Sequence, residues 1–133
     1  NTNVMNYYEI SNEETSGSAQ DYDIVLQYTL PDNFNSWASS SPLTIKYDGI
    51  SNANFQVIVY EGNTSLVSSG VQSGSGTGSF SIFNIATTSQ LSLLSAGDTI
   101  TLVIKASVSS VSTVGNSFIR LGDITLNYNR NVL

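Results

Sequence analysis

Asp21-Tyr22-Asp23-Ile24-Val25-Leu26-Gln27-Tyr28-Thr29-Leu30 is the stretch whose reading decides the fold. Tyr22, Ile24, Leu26, Tyr28 and Leu30 fall on one side of an extended backbone, and Asp21, Asp23, Gln27 and Thr29 fall on the other. Only Val25 breaks the alternation. A period of two with one apolar face is the pattern of a strand half buried against a core. The residues before it are polar and without periodicity, so it reads as the entrance to a β domain.

Similar strands follow at turn-separated intervals. Pro31-Asp32 stops the ladder, and Asn33 to Pro42 is expected to be a long loop around Phe34 and Trp37. Leu43, Ile45 and Tyr47 alternate with Thr44, Lys46 and Asp48. Phe55, Val57 and Val59 alternate with Gln56, Ile58 and Tyr60, and Glu61-Gly62-Asn63 reverses the chain into Thr64 to Ser68. Apolar groups on both faces there point to the middle of a sandwich. After a Gly- and Ser-rich loop, Ser79 to Phe83 is a short strand, and Asn84 to Leu94 reads as either irregular chain or one helical turn. Ile100, Leu102, Ile104 and Ala106 mark another strong strand, and Phe118 to Tyr128 the last, with a bulge expected at Gly122. The expectation is an all-β fold: a two-sheet antiparallel β-sandwich of eight or nine strands. Short hairpins mixed with long crossings favour jelly-roll over immunoglobulin topology.

Residues 1–20 read as an amino-terminal strand and polar linker, and 21–133 as the sandwich domain. Val4, Met5, Tyr7, Tyr8 and Ile10 give the first segment its apolar content, and Ser11 to Gln20 its flexibility. Such a strand either folds back as an edge of its own domain or is donated to a neighbouring subunit by β-augmentation.

Composition narrows the function. The 133 residues suit one domain with a real core, burying about two thirds of the surface of the unfolded chain. Cysteine and histidine are absent, which removes thiolate and imidazole chemistry and the usual zinc sites. Only four cations, Lys46, Lys105, Arg120 and Arg130, accompany ten carboxylates. A phosphate-tracking surface is therefore not expected, so no nucleic acid is, and an acidic leaflet would repel the chain. No apolar run has the length of a membrane span, and no membrane insertion is expected. Scarce Lys and Glu with abundant Ser, Thr and Asn point to an extracellular, cell-surface or virion-surface setting. Opening on Asn1, the sequence is expected to be a mature form or an excised segment.

From Tyr22 to Tyr128 the succession resembles small jelly-roll domains of phage and virion proteins and of bacterial surface proteins. The features that carry the resemblance are the long strand ending at Pro31, the hairpin Asn54 to Val67, and the entry Ala96-Gly97-Asp98-Thr99-Ile100. The closing Arg120-Leu121-Gly122-Asp123-Ile124-Thr125-Leu126-Asn127-Tyr128 completes them. The strand-plus-linker front is similar in layout to donor-strand, pilus-like filament subunits. The resemblance implies a structural, adhesive or receptor-facing domain that assembles with copies of itself, and it transfers no site residues.

The candidate chemistry is sparse. Glycoside hydrolysis needs two carboxylates opposed across a cleft. Glu13-Glu14 lies in the linker, and Asp21 with Asp23 shares one strand face, so no enzyme is expected. Asp48, Asp98 and Asp123 each adjoin a glycine and are the calcium candidates. Turn chemistry accounts for all three, and neither a metal nor any other cofactor is expected. Phe34, Trp37 and Tyr60, with nearby asparagines, could stack on surface glycans, or could cap an open sandwich end. Asn63-Thr64-Ser65 matches a glycosylation acceptor in a hairpin. The leading expectation is a non-enzymatic structural subunit whose partners are copies of itself, in a filament, a pilus-like fibre or a virion surface. The alternative is a carbohydrate- or receptor-binding module.

Overall fold

A computed structural model of the chain describes residues 7–12, 19–50, 52–74, 76, 78–109 and 117–132. Among them there are eleven strands and no helix. They run β1 Tyr8–Asn12, β2 Gln20–Thr29, β3 Phe34–Trp37, β4 Leu43–Gly49, β5 Ala53–Glu61 and β6 Thr64–Ser68. They continue as β7 Gln72–Ser73, β8 Ser81–Ala86, β9 Thr99–Val108, β10 Ser117–Leu126 and β11 Tyr128–Arg130.

The fold is all-β and sandwich-like, built from antiparallel sheets. One layer has the order β1-β10-β4-β8 and the other β2-β9-β5-β6, with β7 beside β5 and a two-stranded β3-β11 sheet apart from both. The pairings nest: β5 pairs β6, β4 pairs β8, β2 pairs β9 and β1 pairs β10. The chain is thus doubled back at Glu61-Gly62-Asn63-Thr64, and the doubled ribbon is shared between two layers. Gly62 carries the positive φ of 58° that this two-residue reversal demands.

Alternation builds the core. Ala53, Phe55, Val57 and Val59 of β5 and Ile100, Leu102, Ile104, Ala106 and Val108 of β9 face inward and are buried. From the other layer Leu43, Ile45 and Tyr47 of β4 meet them, with Ile119 and Leu121 of β10. Phe55 joins the layers, its ring 5.2 Å from Tyr47 and 5.3 Å from Phe83. Removing such apolar area from water, at about 25 cal/mol per Å², is the main stabilising term.

Several expectations need correction. Eleven strands replace eight or nine, because short pieces form where loops were expected. Phe34 to Trp37 is a strand because β11 supplies its ladder, Tyr128 opposite Trp37. The last strand accordingly divides after Leu126. Of the two readings open for Asn84 to Leu94, the irregular one holds over residues 88–93, which are turns, and the strand after the Gly-rich loop runs over Ser81–Ala86 and so reaches into that segment. The strictly alternating β2 is an edge strand, mostly exposed, and the centre of its layer is β9 and β5. The bulge expected at Gly122 is present, since β10 steps from Leu121 to Ile124 while β4 steps from Tyr47 to Ile45.

Candidate functional site

The first residue of interest is Tyr8, because β1 is the outermost strand of its layer. It is held by a five-residue ladder to β10 from Tyr8 opposite Leu121 to Asn12 opposite Ser117. Alternation turns Tyr8 and Ile10 toward the core. Ile10 is half buried, whereas Tyr8 remains 63% exposed, so the strand seals its flank incompletely.

The outward residues of this flank form a row. Glu9 is opposite Arg120, and Arg120 is opposite Asp48, so β1, β10 and β4 place acid, base and acid side by side. Arg120 Nε donates to Glu9 Oε1 at 2.6 Å, and Arg120 Nη1 stands 3.5 Å from Asp48 Oδ2. The guanidinium also lies 4.6 Å from the Phe118 ring centroid and 5.3 Å from that of Tyr7. Tyr7 in turn packs on Phe80, centroids 5.6 Å apart. Asp48 is 1% exposed, and neither of its oxygens accepts a hydrogen bond. Its contact with Arg120 is therefore Coulombic and low in geometric quality. The Glu9 hydrogen bond is the foremost reason the Arg120 guanidinium holds its proton more tightly than usual; desolvation opposes this, and the charges of Glu9, Tyr7 and Asp48 add to it. Two partly exposed side chains make the Glu9 contact worth about 1 kcal/mol or less. The arm is clamped, but lightly.

Beyond Leu121 the flank is open. Gly122 to Leu126 of β10 pair with β4 through Ile124, Thr125 and Leu126, and among the described residues no strand lies on their β1 side. A groove of about 280 Å³ sits there, lined by Leu26, Gln27 and Tyr28 of β2, Leu102 of β9, and Ile124 and Leu126 of β10. Tyr28 and Tyr128 hydroxyls approach to 3.5 Å at this end, which raises the Tyr28 pKa and lowers that of Tyr128.

The other candidates are dispersed. Val4 and Met5 lie outside the described residues. Phe34 and Trp37 are buried rather than presented as platforms. Trp37 packs on Phe34 and Tyr128, and its Nε1 donates to the Leu91 carbonyl at 3.1 Å. Both rings thus belong to the packing at one end of the sandwich. Tyr60 is half buried on β5, remote in sequence register from both, and Asn63 is exposed at the hairpin tip.

Asp48, Asp98 and Asp123 belong to three separate places: the outer row, the turn before β9, and the β10 bulge. Among the described residues no group of three carboxylates that could hold a metal ion occurs. Asp98 Oδ2 accepts from the Ser95 amide at 2.8 Å and from its hydroxyl at 3.2 Å, with Gly97 at φ 82° completing the turn. Glu61 faces Asp98. That contact, with desolvation, pushes the Glu61 carboxyl up, while Ser95 and Glu61 hold Asp98 down. Glu61 Oε2 is closed to solvent and has no hydrogen-bond partner.

The row Glu9-Arg120-Asp48 was not singled out by sequence reasoning, which cannot see partners 111 residues apart. The available signal was scarcity: with four cations in the chain, a buried carboxylate had few possible partners. Among the described residues no helix is long and apolar enough to cross a membrane. Comparison with protein-family models, with curated proteins and with solved structures found no match.

Proposed function

We propose that this chain is a non-enzymatic structural subunit of an extracellular, cell-surface or virion-surface assembly, a jelly-roll sandwich that attaches to copies of itself through β1. The jelly-roll reading is supported by strand order. Setting aside the short β3, β7 and β11, the first, eighth, third and sixth strands make one layer and the second, seventh, fourth and fifth the other. The single observation that carries the assembly reading is the seating of β1: an edge strand on one ladder and one half-exposed ion pair, with its inward Tyr8 mostly in water. The same ladder forms equally well with β10 of a neighbour, because strand pairing depends on local register and not on chain continuity. Few charges guard the free edges against such association.

The test uses the register Ser11 opposite Phe118 in a chain that has no cysteine of its own. Chains carrying Ser11→Cys are mixed with chains carrying Phe118→Cys and oxidised. A disulfide between the two, together with oligomers in light scattering and electron microscopy, is expected. Monomers that never cross-link would overturn the reading.

A second reading, recognition of surface glycans, is favoured by a groove of about 280 Å³ on the outer face of the β2-β9-β5 layer. Asp21, Asp23, Asn54, Gln56 and Lys105 supply hydrogen-bonding groups there. A glycan array in which binding disappears with Gln56→Ala checks it.

A further inference from the structure

We infer that a second copy of this chain pairs with the free edge of β2, antiparallel about a two-fold axis at Val25, so that the β2-β9-β5-β6 layers of two copies run on as one sheet. The inference goes beyond the β1 reading and stands without it, because β1 and β2 edge different layers. The outermost strands of the two layers are β1, β8, β2 and β6. Three of them are blunted: β1 has five residues, and β8 and β6, of six and five, each pair across a register shift. β2 has ten residues, pairs with β9 from Gln20 to Thr29 without a shift, and contains no proline or lysine. Its other side has no partner among the described residues. A long, regular, unguarded edge is a template for a further strand. It also keeps large apolar groups in water, with Tyr22, Val25 and Tyr28 45%, 59% and 42% exposed.

The sequence of β2 indicates which strand fits. A two-fold axis through the sheet keeps the inner faces of both copies on one side, so it crosses the strand pair at one residue, which meets itself. The chain has a net charge of −6, so the axis must keep carboxylates from facing one another. Axes at Asp21, Tyr22 or Asp23 set Asp21 against Asp21, Asp21 against Asp23, or Asp23 against Asp23. An axis at Ile24 sets Asp23 against Val25. One at Leu26 sets Val25 against Gln27 and runs Tyr22 past the end of the facing strand, and axes further along pair still less of β2. The axis at Val25 matches every pair in kind. Val25 meets Val25, Ile24 meets Leu26, Asp23 meets Gln27, Asp21 meets Thr29 and Tyr22 meets Tyr28. Within each copy Lys105 already stands 3.5 Å from Asp23, so that carboxylate brings a counter-charge of its own. On the inner face this axis carries Tyr22 of the second copy to the mouth of the groove lined by Leu26, Tyr28, Leu102, Ile124 and Leu126. A ring with a polar tip suits an apolar groove that has the Tyr28 and Tyr128 hydroxyls at its end.

Full-length chains carrying the single change Val25→Cys are oxidised, and covalent dimers are followed on non-reducing gels. Their formation is expected on the order of ten times faster than for Ile82→Cys or Val71→Cys, because the axis holds the two thiols at high effective concentration and at a separation a disulfide spans. Ile82 and Val71 are suitable controls, 65% and 62% exposed and away from β2. Equal rates would overturn the inference. The register is read separately by sedimentation velocity, with changes at the exposed Gln27. Gln27→Lys, which meets Asp23 of the other copy twice across the axis, is expected to tighten the dimer by about threefold to tenfold, and Gln27→Glu to loosen it by a similar factor. A parent chain that stays monomeric at every concentration, or a dimer indifferent to both changes, would overturn the inference. The Ser11–Phe118 cross-link reports on β1 alone. That link without the Val25 dimer removes the present inference and keeps β1 exchange, and the Val25 dimer without that link does the reverse.

Discussion

Arg120 Nη1 stands 3.5 Å from Asp48 Oδ2, and that carboxylate, 1% exposed, accepts no hydrogen bond from any group. Among the described residues a buried charge in this position has one cation beside it, which is itself shared with Glu9 of the arm.

Removing the cation is therefore far worse than removing the pair. Arg120→Ala leaves Asp48 buried and uncompensated, and is expected to cost about 3–5 kcal/mol. The double change Asp48→Leu with Arg120→Leu exchanges a poorly bonded ion pair for packing and is expected within about 1 kcal/mol of the parent, or above it. Glu9→Ala, which leaves Asp48 paired, is expected to cost about 1 kcal/mol or less. Urea unfolding of the four chains checks the ranking. A double variant as unstable as Arg120→Ala would contradict it.

Glu61 and Asp98 give a pH dependence of defined sign. The Glu61 carboxyl is pushed up, foremost by its contact with Asp98, so its contribution to stability is complete below the ordinary glutamate range. It is lost as pH rises through the raised value. Asp98 is held down, foremost by the Ser95 amide, so its contribution is present above the ordinary aspartate range and is lost only as pH falls through the lowered value. Glu61→Gln offers Asp98 a permanent donor. Its melting temperature relative to the parent is expected to climb from about pH 4 toward neutrality and then level off. A difference that stays flat across that range would mean that Asp98 does not raise the Glu61 carboxyl.

How far the fold was legible follows from the same elements. Strict alternation in Tyr22 to Leu30 identified a strand, but it measures burial of one face, and an edge strand has that property as readily as a central one. The central strands β5 and β9 carry Ile58 and Val103 on their outward faces as well, the signature of crowding on both sides. Gly122 announced the β10 bulge because an inward phase that fails by one residue needs a glycine or a kink. β3 escaped detection because four residues with polar Asn35 and Ser36 at their centre are a strand only once β11, more than ninety residues later, lies beside them. The outer row and the groove share that difficulty. Each is made by register between strands distant in sequence, and no local pattern encodes register.

Gly74 has a packing role that its Gly-rich surroundings conceal. A Cβ there would lie 2.3 Å from the Gly49 carbonyl carbon and from the Ile50 oxygen, while the Gly74 amide donates to Ala53 at 2.9 Å. Backbone on both sides cannot yield as a side chain would, so Gly74→Ala is expected to cost about 1–3 kcal/mol through forced displacement of the β4–β5 connection. Gly70 has open space around it and no positive φ. Gly70→Ala is expected to be neutral or to stabilise by about 0.4–1 kcal/mol, through a less flexible unfolded chain. Thermal unfolding of the two alanine variants checks the contrast, and equal effects would remove the packing role.

Trp37 gives the last test, one that separates a structural aromatic from a ligand platform. Its ring is 5% exposed, stands edge-on to Phe34 and Tyr128, and is fixed by donation to Leu91 O from the turn that closes the sandwich end. Trp37→Phe keeps most of the apolar volume but withdraws the indole donor, leaving the Leu91 carbonyl its bond from the Leu94 amide alone, so a loss of about 0.5–1.5 kcal/mol is expected. Amide exchange should accelerate at Leu94 and Ala38, whose main-chain bonds belong to the same closure, and remain slow at the centre of β9. A variant that kept its stability and lost binding to an immobilised glycan would instead assign Trp37 to recognition. The burial of Phe34 and Trp37 argues for the first outcome: a stacking platform needs an exposed ring, and each of these is 5% exposed.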